Sequence, residues 1–264
     1  MAELMTPTEL IGLATQELTA LPACIAGSAV AAETYGLPLG QFADLDVFCY
    51  SAEAVIVGAM RLMAAGFEIE ERHARVWHRW IKYGVSGWHT NSLKLMTGDG
   101  VELNLIYKKV NRHPLTSLAA VLESFDFGLL AAGYDLELGT HHDMRTYLFP
   151  DLDPEGPLPL MPQRRNAWRG GFISQYQGMR ELGRYAKYIR YGYDLSLVQD
   201  DLVTGYMNAA AYLSNRTEPE KQLLSRIYYT AAEKVTANDL EDLEEFADLI
   251  VTTDQLDVLM DELE

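Results

Sequence analysis

Two aspartates separated by one apolar residue are the side chains of this sequence best suited to metal chemistry. Asp44 and Asp46 open an apolar run that ends at Tyr50 and has the composition of a β-strand. Because side chains alternate between the faces of a strand, both carboxylates are expected on one face. Two carboxylates on one face repel each other unless a cation lies between them, and such oxygen ligands suit Mg²⁺ or Mn²⁺. The pair therefore predicts a divalent metal site.

A second feature, Gly27-Ser28, follows the short apolar run 23–26. A Gly-Ser turn offers backbone N–H groups and a hydroxyl, the groups that hold a phosphate at the N-terminus of a helix. A phosphate-binding turn and a pair of metal-binding acids are the minimum that metal-assisted nucleotidyl transfer requires.

The order of these residues resembles the core signature of the polymerase-β-like nucleotidyltransferase superfamily: an apolar residue, Gly-Ser, a short helix and an Asp-x-Asp strand. The matching residues are Gly27, Ser28, Asp44 and Asp46. The resemblance covers roughly the first half of the chain. It implies a small mixed sheet flanked by helices, two metal ions, and a third carboxylate on a neighbouring strand. The segment between the two motifs is longer than the family's, and residues 36–40 are interpreted as an inserted loop.

The third carboxylate is where this sequence departs from the superfamily pattern. Residues 92–96 and 101–107 flank a Gly-Asp-Gly turn and predict a β-hairpin. In its second strand Asn104 takes the position that aligns with the third acid, and Glu102 lies about 7 Å away on the same face. An amide can bind a metal but cannot act as a general base at neutral pH. Either Glu102 replaces the third acid, or the site binds nucleotide and metal without fast chemistry. Lys94, on the first strand, is placed to reach a phosphate.

Two further patterns resemble uncharacterised bacteriophage and viral nucleotidyltransferase-like proteins. The run Ser-Phe-Asp-Phe at 124–127 begins a predicted strand that would extend the sheet, which makes Asp126 a candidate metal ligand; the other interpretation is a cap at the strand entry. The Arg-x-x-Lys-Tyr-x-x-x-Gly-Tyr pattern starts at Arg184 and includes Lys187. On a helix these cations form a basic side for triphosphate or a nucleic-acid backbone, or they pair with acids elsewhere in the chain.

Residues 67–89 are the most basic and aromatic stretch of an acidic chain. They combine three tryptophans with four cations, Arg72, Arg75, Arg79 and Lys82. Two interpretations stay open: a surface that stacks a base and holds phosphates, or a β-excursion or amphipathic element whose tryptophans pack on the core.

Composition limits the class of protein. The net charge of −17 over 264 residues argues against a surface that coats nucleic acid generally, although it permits a local basic groove. Cys24 and Cys49 are expected to be buried and reduced, which fits a cytoplasmic location. No apolar run is long enough to span a bilayer, and no secretory signal opens the sequence. We therefore expect no membrane partner.

The predicted fold class is α+β. Residues 1–150 would form a nucleotidyltransferase-like α/β domain, a mixed sheet with flanking helices. A proline-rich linker, 151–162, would lead to an all-helical domain over 163–264.

The first hypothesis is a metal-dependent nucleotidyltransferase that moves an NMP from an NTP to a nucleic-acid (RNA, such as tRNA), protein or small-molecule acceptor. Its catalytic residues would be Asp44, Asp46 and Glu102, which with Asp126 would bind Mg²⁺ or Mn²⁺. Its nucleotide-binding residues would be Gly27, Ser28, Asn104, Arg184 and Lys187. The alternative, which Asn104 favours, is a catalytically silent nucleotide-binding or interaction module on the same fold. A toxin-like nucleotidyltransferase acting on tRNA or protein is a third possibility.

Overall fold

The chain divides into two compact units, Met1–Pro154 and Glu155–Glu264. The boundary falls within the proline-rich segment 151–162. The computed structural model describes residues 6–35, 44–85, 91–97, 100–110, 113–151, 153, 156–162, 184–185, 188–189, 193–198 and 201.

The first unit is a mixed α/β structure. Its elements in chain order are α1 (Pro7–Glu17), β1 (Ala23–Ala26), α2 (Ser28–Tyr35), β2 (Leu45–Cys49), α3 (Ala52–Ala64), β3 (Glu68–Ile69), α4 (Glu71–Tyr83), β4 (Asn91–Met96), β5 (Glu102–Tyr107), β6 (Lys109–Val110), β7 (His113–Pro114), α5 (Leu118–Glu123), a 3₁₀ turn (Gly128–Leu130), β8 (Ala132–Asp135), β9 (Thr140–Asp143) and α6 (Arg145–Leu148).

One seven-stranded sheet organises this unit, in the order β3-β4-β5-β2-β1-β8-β9, and β6 and β7 form a separate pair. The contact between β2 and β5 is parallel, whereas the other neighbours are antiparallel. The sheet is therefore mixed, and the hairpin predicted over 92–107 is confirmed as β4 and β5.

Local signals explain where the first helices begin. Thr6 caps α1 in a capping box with Glu9, and Pro7 takes the first helical position. The hydroxyl of Ser51 accepts a hydrogen bond from the N–H of Ala54 and caps α3.

Two apolar clusters cover the two faces of the sheet. The larger cluster contains residues of α1, α3 and α4 and the odd-numbered residues of the central strands, such as Val47 and Leu105. The smaller contains residues of α5 with Cys24, Phe48 and Tyr50. Strand alternation places Asp46 on the same face as Phe48. The candidate site residues therefore lie beside the smaller cluster.

The prediction of a strand that begins at residues 124–127 is wrong in the extent of the strand. Gly128–Leu130 forms a 3₁₀ turn, closed by hydrogen bonds from Leu130 N–H to Phe127 O and from Ala131 N–H to Gly128 O, and the strand covers only Ala132–Asp135. A short apolar run does not distinguish a buried turn from a buried strand, because both bury every side chain.

The basic, aromatic segment contains the amphipathic helix α4. Trp80 is buried in the larger apolar cluster, with Val76 and Trp77 packed against it, while Arg72, Arg75, Arg79 and Lys82 are exposed. The interpretation that its tryptophans pack on the core is confirmed for Trp77 and Trp80.

In the second unit, residues 184–185, 188–189 and 196–198 are helical. Its buried side chains include Leu160, Tyr185, Tyr188 and Leu195. Lys187 and the acidic C-terminal segment lie outside the described residues. Within the part of the chain that the structure describes, no helix is both long and apolar enough to cross a membrane.

Candidate functional site

The two predicted metal-binding aspartates lie at the start of β2, in the middle of the sheet. Asp44 directly precedes the strand and Asp46 is its second residue, so both project from the same face. The parallel neighbour β5 places Asn104 opposite Asp46. Glu102, two residues before Asn104, shares its face. The expectations that Asp44 and Asp46 share one face, and that Glu102 and Asn104 share one face, agree with the strand register.

Asn104 joins the two aspartates. Its Nδ2 donates hydrogen bonds to Asp44 Oδ2 at 2.5 Å and to Asp46 Oδ1 at 3.1 Å. The side chain is buried, with 7% of its surface exposed. One amide group therefore supplies both carboxylates with a donor and offsets part of their mutual repulsion.

Lys94, on β4, adds a positive charge to this cluster. Its Nζ lies 2.9 Å from Glu102 Oε2 and 3.9 Å from Asp44 Oδ2. Burial acts to lower the pKa of Lys94. The hydrogen bond to Glu102 and the charges of Glu102, Asp44 and Glu70 outweigh it, so the pKa lies above its ordinary value. Lys94 is therefore a fixed cation at neutral pH.

The Gly27-Ser28 turn lies against Asp46. Gly27 has a φ of +107°, and a Cβ built there would lie 3.4 Å from Asp46 Oδ2. Helix α2 starts at Ser28, and its first turn contains no acidic residue. The first N–H groups of a helix lack intrahelical partners and carry partial positive charge. This turn therefore brings N–H groups with partial positive charge next to the carboxylate pair.

The oxygen ligands of this cluster fit Mg²⁺. Asn104 Oδ1 is buried and accepts no hydrogen bond from the described residues, and a half-turn of the amide would bring this oxygen to the position of Nδ2. Two carboxylates and one amide oxygen are hard ligands, and Mg²⁺ is commonly held by one or two carboxylates together with substrate phosphates. Among the residues that the structure describes, no group of three or more His, Cys, Asp or Glu side chains is arranged to hold a metal ion. A metal here would therefore depend on Asp44, Asp46, Asn104 and bound phosphate.

The remaining predicted site residues lie elsewhere or have other partners. Glu102 is ion-paired to Lys94. Asp126 is buried, with 4% of its surface exposed, between α5 and the 3₁₀ turn. Arg184 is half-buried in the second unit, and Lys187 is outside the described residues. The proposed roles of Glu102, Asp126, Arg184 and Lys187 stay predictions.

A buried polar cluster on the same face of the sheet was missed by sequence reasoning. Tyr50 Oη donates to Asp135 Oδ2 at 3.2 Å, and Asp135 Oδ1 accepts from the N–H groups of Glu137 and Leu138. Burial raises the pKa of the neighbouring Cys24 to about 12, against a smaller opposing effect of its hydrogen bond with Tyr50, so this thiol is not a nucleophile at neutral pH. The available signal was the alternation of side chains from Asp44 to Tyr50, which places Tyr50 on the same face as the two aspartates.

Comparison with known proteins gives no family assignment. No protein-family model matches the chain, and a search of the curated proteins finds no match.

Proposed function

We propose that the first unit is a metal-dependent nucleotidyltransferase that moves an NMP from an NTP to an acceptor. The observation that carries this proposal is the position of the Gly27-Ser28 turn, which lies against Asp46 where Asp44 and Asn104 converge. A phosphate-binding helix terminus and a pair of carboxylates in contact suit a substrate that is both anionic and metal-bound.

Each residue has a distinct role in this proposal. The N–H groups at Gly27 and Ser28 bind the β- and γ-phosphates. Asp44 and Asp46, with Asn104 Oδ1 as a third ligand, hold Mg²⁺ or Mn²⁺, which supplies charge neutralisation and alignment of the phosphates when bound. An acceptor oxygen forms a bond to the α-phosphorus as the bond to the pyrophosphate oxygen breaks. Glu102 takes the proton of the acceptor hydroxyl.

The proposal extends to the parts of the fold that the sequence resemblance implied. The mixed sheet is interpreted as nucleotidyltransferase-like, and the second unit as a helical domain; Arg184 and Lys187 are proposed, from the sequence pattern alone, to bind phosphates. The acceptor classes are RNA, protein or a small molecule, and the NTP requirement agrees with the cytoplasmic location proposed from the sequence.

The second candidate is a catalytically silent nucleotide-binding module on the same fold. The observation that favours it is the bridging amide of Asn104, which stands where the superfamily keeps a third carboxylate and donates to both aspartates. The positive charge of Lys94 also offsets part of the negative charge of the aspartate pair. Because the two aspartates already have an amide donor and a cation as partners, such a site can bind a nucleotide without carrying out transfer.

Incubation with an NTP labelled on the α-phosphate, in the presence of Mg²⁺ or Mn²⁺, separates the two candidates. Total tRNA and the protein itself serve as acceptors. The test variant is Asp44→Asn/Asp46→Asn, which keeps the side-chain volumes. The control is Glu68→Gln, which removes an exposed acid from β3 of the same sheet.

The nucleotidyltransferase proposal expects label on an acceptor and free pyrophosphate with the parent and the control, and neither with the double variant. Thermal stabilisation by NTP and metal without any transfer would support the silent module instead. Neither transfer nor stabilisation would reject both candidates.

A further inference from the structure

The exposed side of α4 carries a row of cations that the proposed transfer site does not use. Arg72, Arg75, Arg79 and Lys82 are spaced by three, four and three residues, which aligns them along one face of a helix. At 1.5 Å per residue the row is about 15 Å long. All four side chains are exposed.

This row is strongly basic in an acidic protein. Helix α4, Glu71–Tyr83, contains four Lys or Arg and one Glu, which gives it a charge of 4 − 1 = +3, whereas the whole chain carries −17. Arg72 lies 3.7 Å from Glu70 and is 90% exposed, a contact worth little in solvent. Among the described residues, Arg75, Arg79 and Lys82 form no ion pair.

The basic row begins at the β4 edge of the sheet, on the opposite face from the aspartate pair, because α4 packs on the larger apolar cluster. Lys94 O accepts a hydrogen bond from the N–H of Glu70, at the start of α4, and the N–H of Lys94 donates to Nδ1 of His73, in its first turn. The side chain of Lys94 reaches Asp44 and Glu102. A polyanion lying on α4 would therefore end at the β4 edge, from which the side chain of Lys94 leads around to the aspartate pair on the other face.

The far end of α4 exposes apolar surface. Tyr83 is 73% exposed and Ile81 is 55% exposed, and Lys82 Nζ lies 5.0 Å from the centre of the Tyr83 ring. An exposed tyrosine beside cations is the combination that stacks a base while its backbone is neutralised. Arginine also matches phosphate with two parallel hydrogen bonds.

We propose that α4 binds the sugar–phosphate backbone of a single-stranded nucleic acid, whose end passes around the β4 edge of the sheet to the candidate site. This inference rests on the proposed function, because it identifies the acceptor of the transferred NMP as a nucleic acid. An acidic protein segment would satisfy the cations but would leave the exposed ring of Tyr83 without a base.

The test is the salt dependence of binding of the full-length protein to a labelled single-stranded RNA, without NTP or metal. Each phosphate contact on a single strand contributes about 0.7 to the slope of log affinity against log salt. Arg75→Gln/Arg79→Gln should therefore lower the slope by about 1.4, which weakens binding about 60-fold at about 50 mM salt if the parent and variant converge near 1 M.

Two controls test whether the charge of the side chains determines binding and whether its position on α4 matters. Arg75→Lys/Arg79→Lys keeps both charges and should keep the slope of the parent. Lys109→Gln removes one charge from β6 and should leave RNA binding unchanged, whereas Arg79→Gln, also a single charge, should weaken it.

Three results would overturn the inference: binding by Arg75→Gln/Arg79→Gln equal to that of the parent, equal losses from Lys109→Gln and Arg79→Gln, or displacement of the RNA by polyglutamate at matched charge. The last would identify an acidic protein as the partner. RNA binding that depends on the arginines, without any label transfer, would reject the nucleotidyltransferase proposal and keep the surface. Label transfer with RNA binding indifferent to the arginines would do the reverse.

Discussion

Replacing Asn104 by aspartate tests the central feature of the site, the amide that bridges two carboxylates. The change removes hydrogen bonds to Asp44 and Asp46 and puts a third negative charge at their position. At an effective dielectric constant of about 20, each repulsion at about 4 Å costs about 4 kcal/mol. Because position 104 is buried beside two carboxylates, we expect the new carboxyl to stay protonated in the folded, metal-free protein at neutral pH.

Protonation sets the size of the effect and its pH dependence. Keeping a carboxyl with an ordinary pKa of about 3.9 protonated at pH 7 costs about 4 kcal/mol. Its pKa is raised in the folded state, so above about pH 4 the folded protein holds a proton that the unfolded protein has lost. Stability relative to the parent should therefore fall by about 1.4 kcal/mol per pH unit between about pH 4 and 7.

Urea unfolding in EDTA across this pH range, followed by tryptophan fluorescence, measures the effect. Asn104→Leu is the matched control, since it removes the same hydrogen bonds without adding a carboxyl and should show a weaker pH dependence than Asn104→Asp. Added Mg²⁺ should restore the Asn104→Asp variant selectively, because it then has three carboxylate ligands. An Asn104→Asp variant whose stability follows pH as Asn104→Leu does, with no response to Mg²⁺, would refute the geometry of the site.

Three further changes test other parts of the first unit. The raised pKa of Lys94 stabilises the fold below its unfolded pKa of about 10.4, and this contribution is lost as pH rises through the folded pKa; the difference in unfolding free energy between the parent and Lys94→Met should therefore shrink above about pH 10 in urea titrations. Tyr50→Phe removes a donor to buried Asp135 and should cost about 1.5–3 kcal/mol by the same measurement; no change would mean that the bond contributes nothing. Gly27→Ala should cost about 1–3 kcal/mol from its positive φ and also abolish stabilisation by NTP, whereas Gly139→Ala, with a positive φ and open space, should cost stability alone.

Local patterns predicted the residues of the site more reliably than their partners. Asp44 and Asp46 share a face because strand side chains alternate, and Gly27 ends β1 because the chain there needs a positive φ. Both signals are contained in a few neighbouring residues. The hairpin that carries Asn104 was also visible from its turn.

The contacts that decide how the site works depend on pairing between distant segments. The register of β2 against β5 puts Asn104 opposite Asp46, and that of β4 against β5 puts Lys94 opposite Asn104. Register follows from the packing of whole strands, which no single stretch of sequence encodes. The neighbour relation of β2 and β5 was expected from a family resemblance, whereas the contact of Lys94 with Asp44 was not expected.

The choice between an enzyme and a silent binding module depends on which atom of Asn104 faces the aspartates when substrate is bound. With Nδ2 inward, as in the structure, the amide satisfies both carboxylates and competes with a metal ion. With Oδ1 inward, the same side chain offers a third oxygen ligand. Without a cation, the partial negative charge of Oδ1 would add to the repulsion between the carboxylates of Asp44 and Asp46. Binding of a metal at this site would therefore be coupled to rotation of the amide. If Mg²⁺ and NTP bind together much more tightly than either alone, the site exchanges one state for the other, and Asn104→Leu should lose this cooperativity while keeping NTP affinity at the Gly27-Ser28 turn. Cooperativity that survives in Asn104→Leu would mean that the amide only holds the aspartates in place.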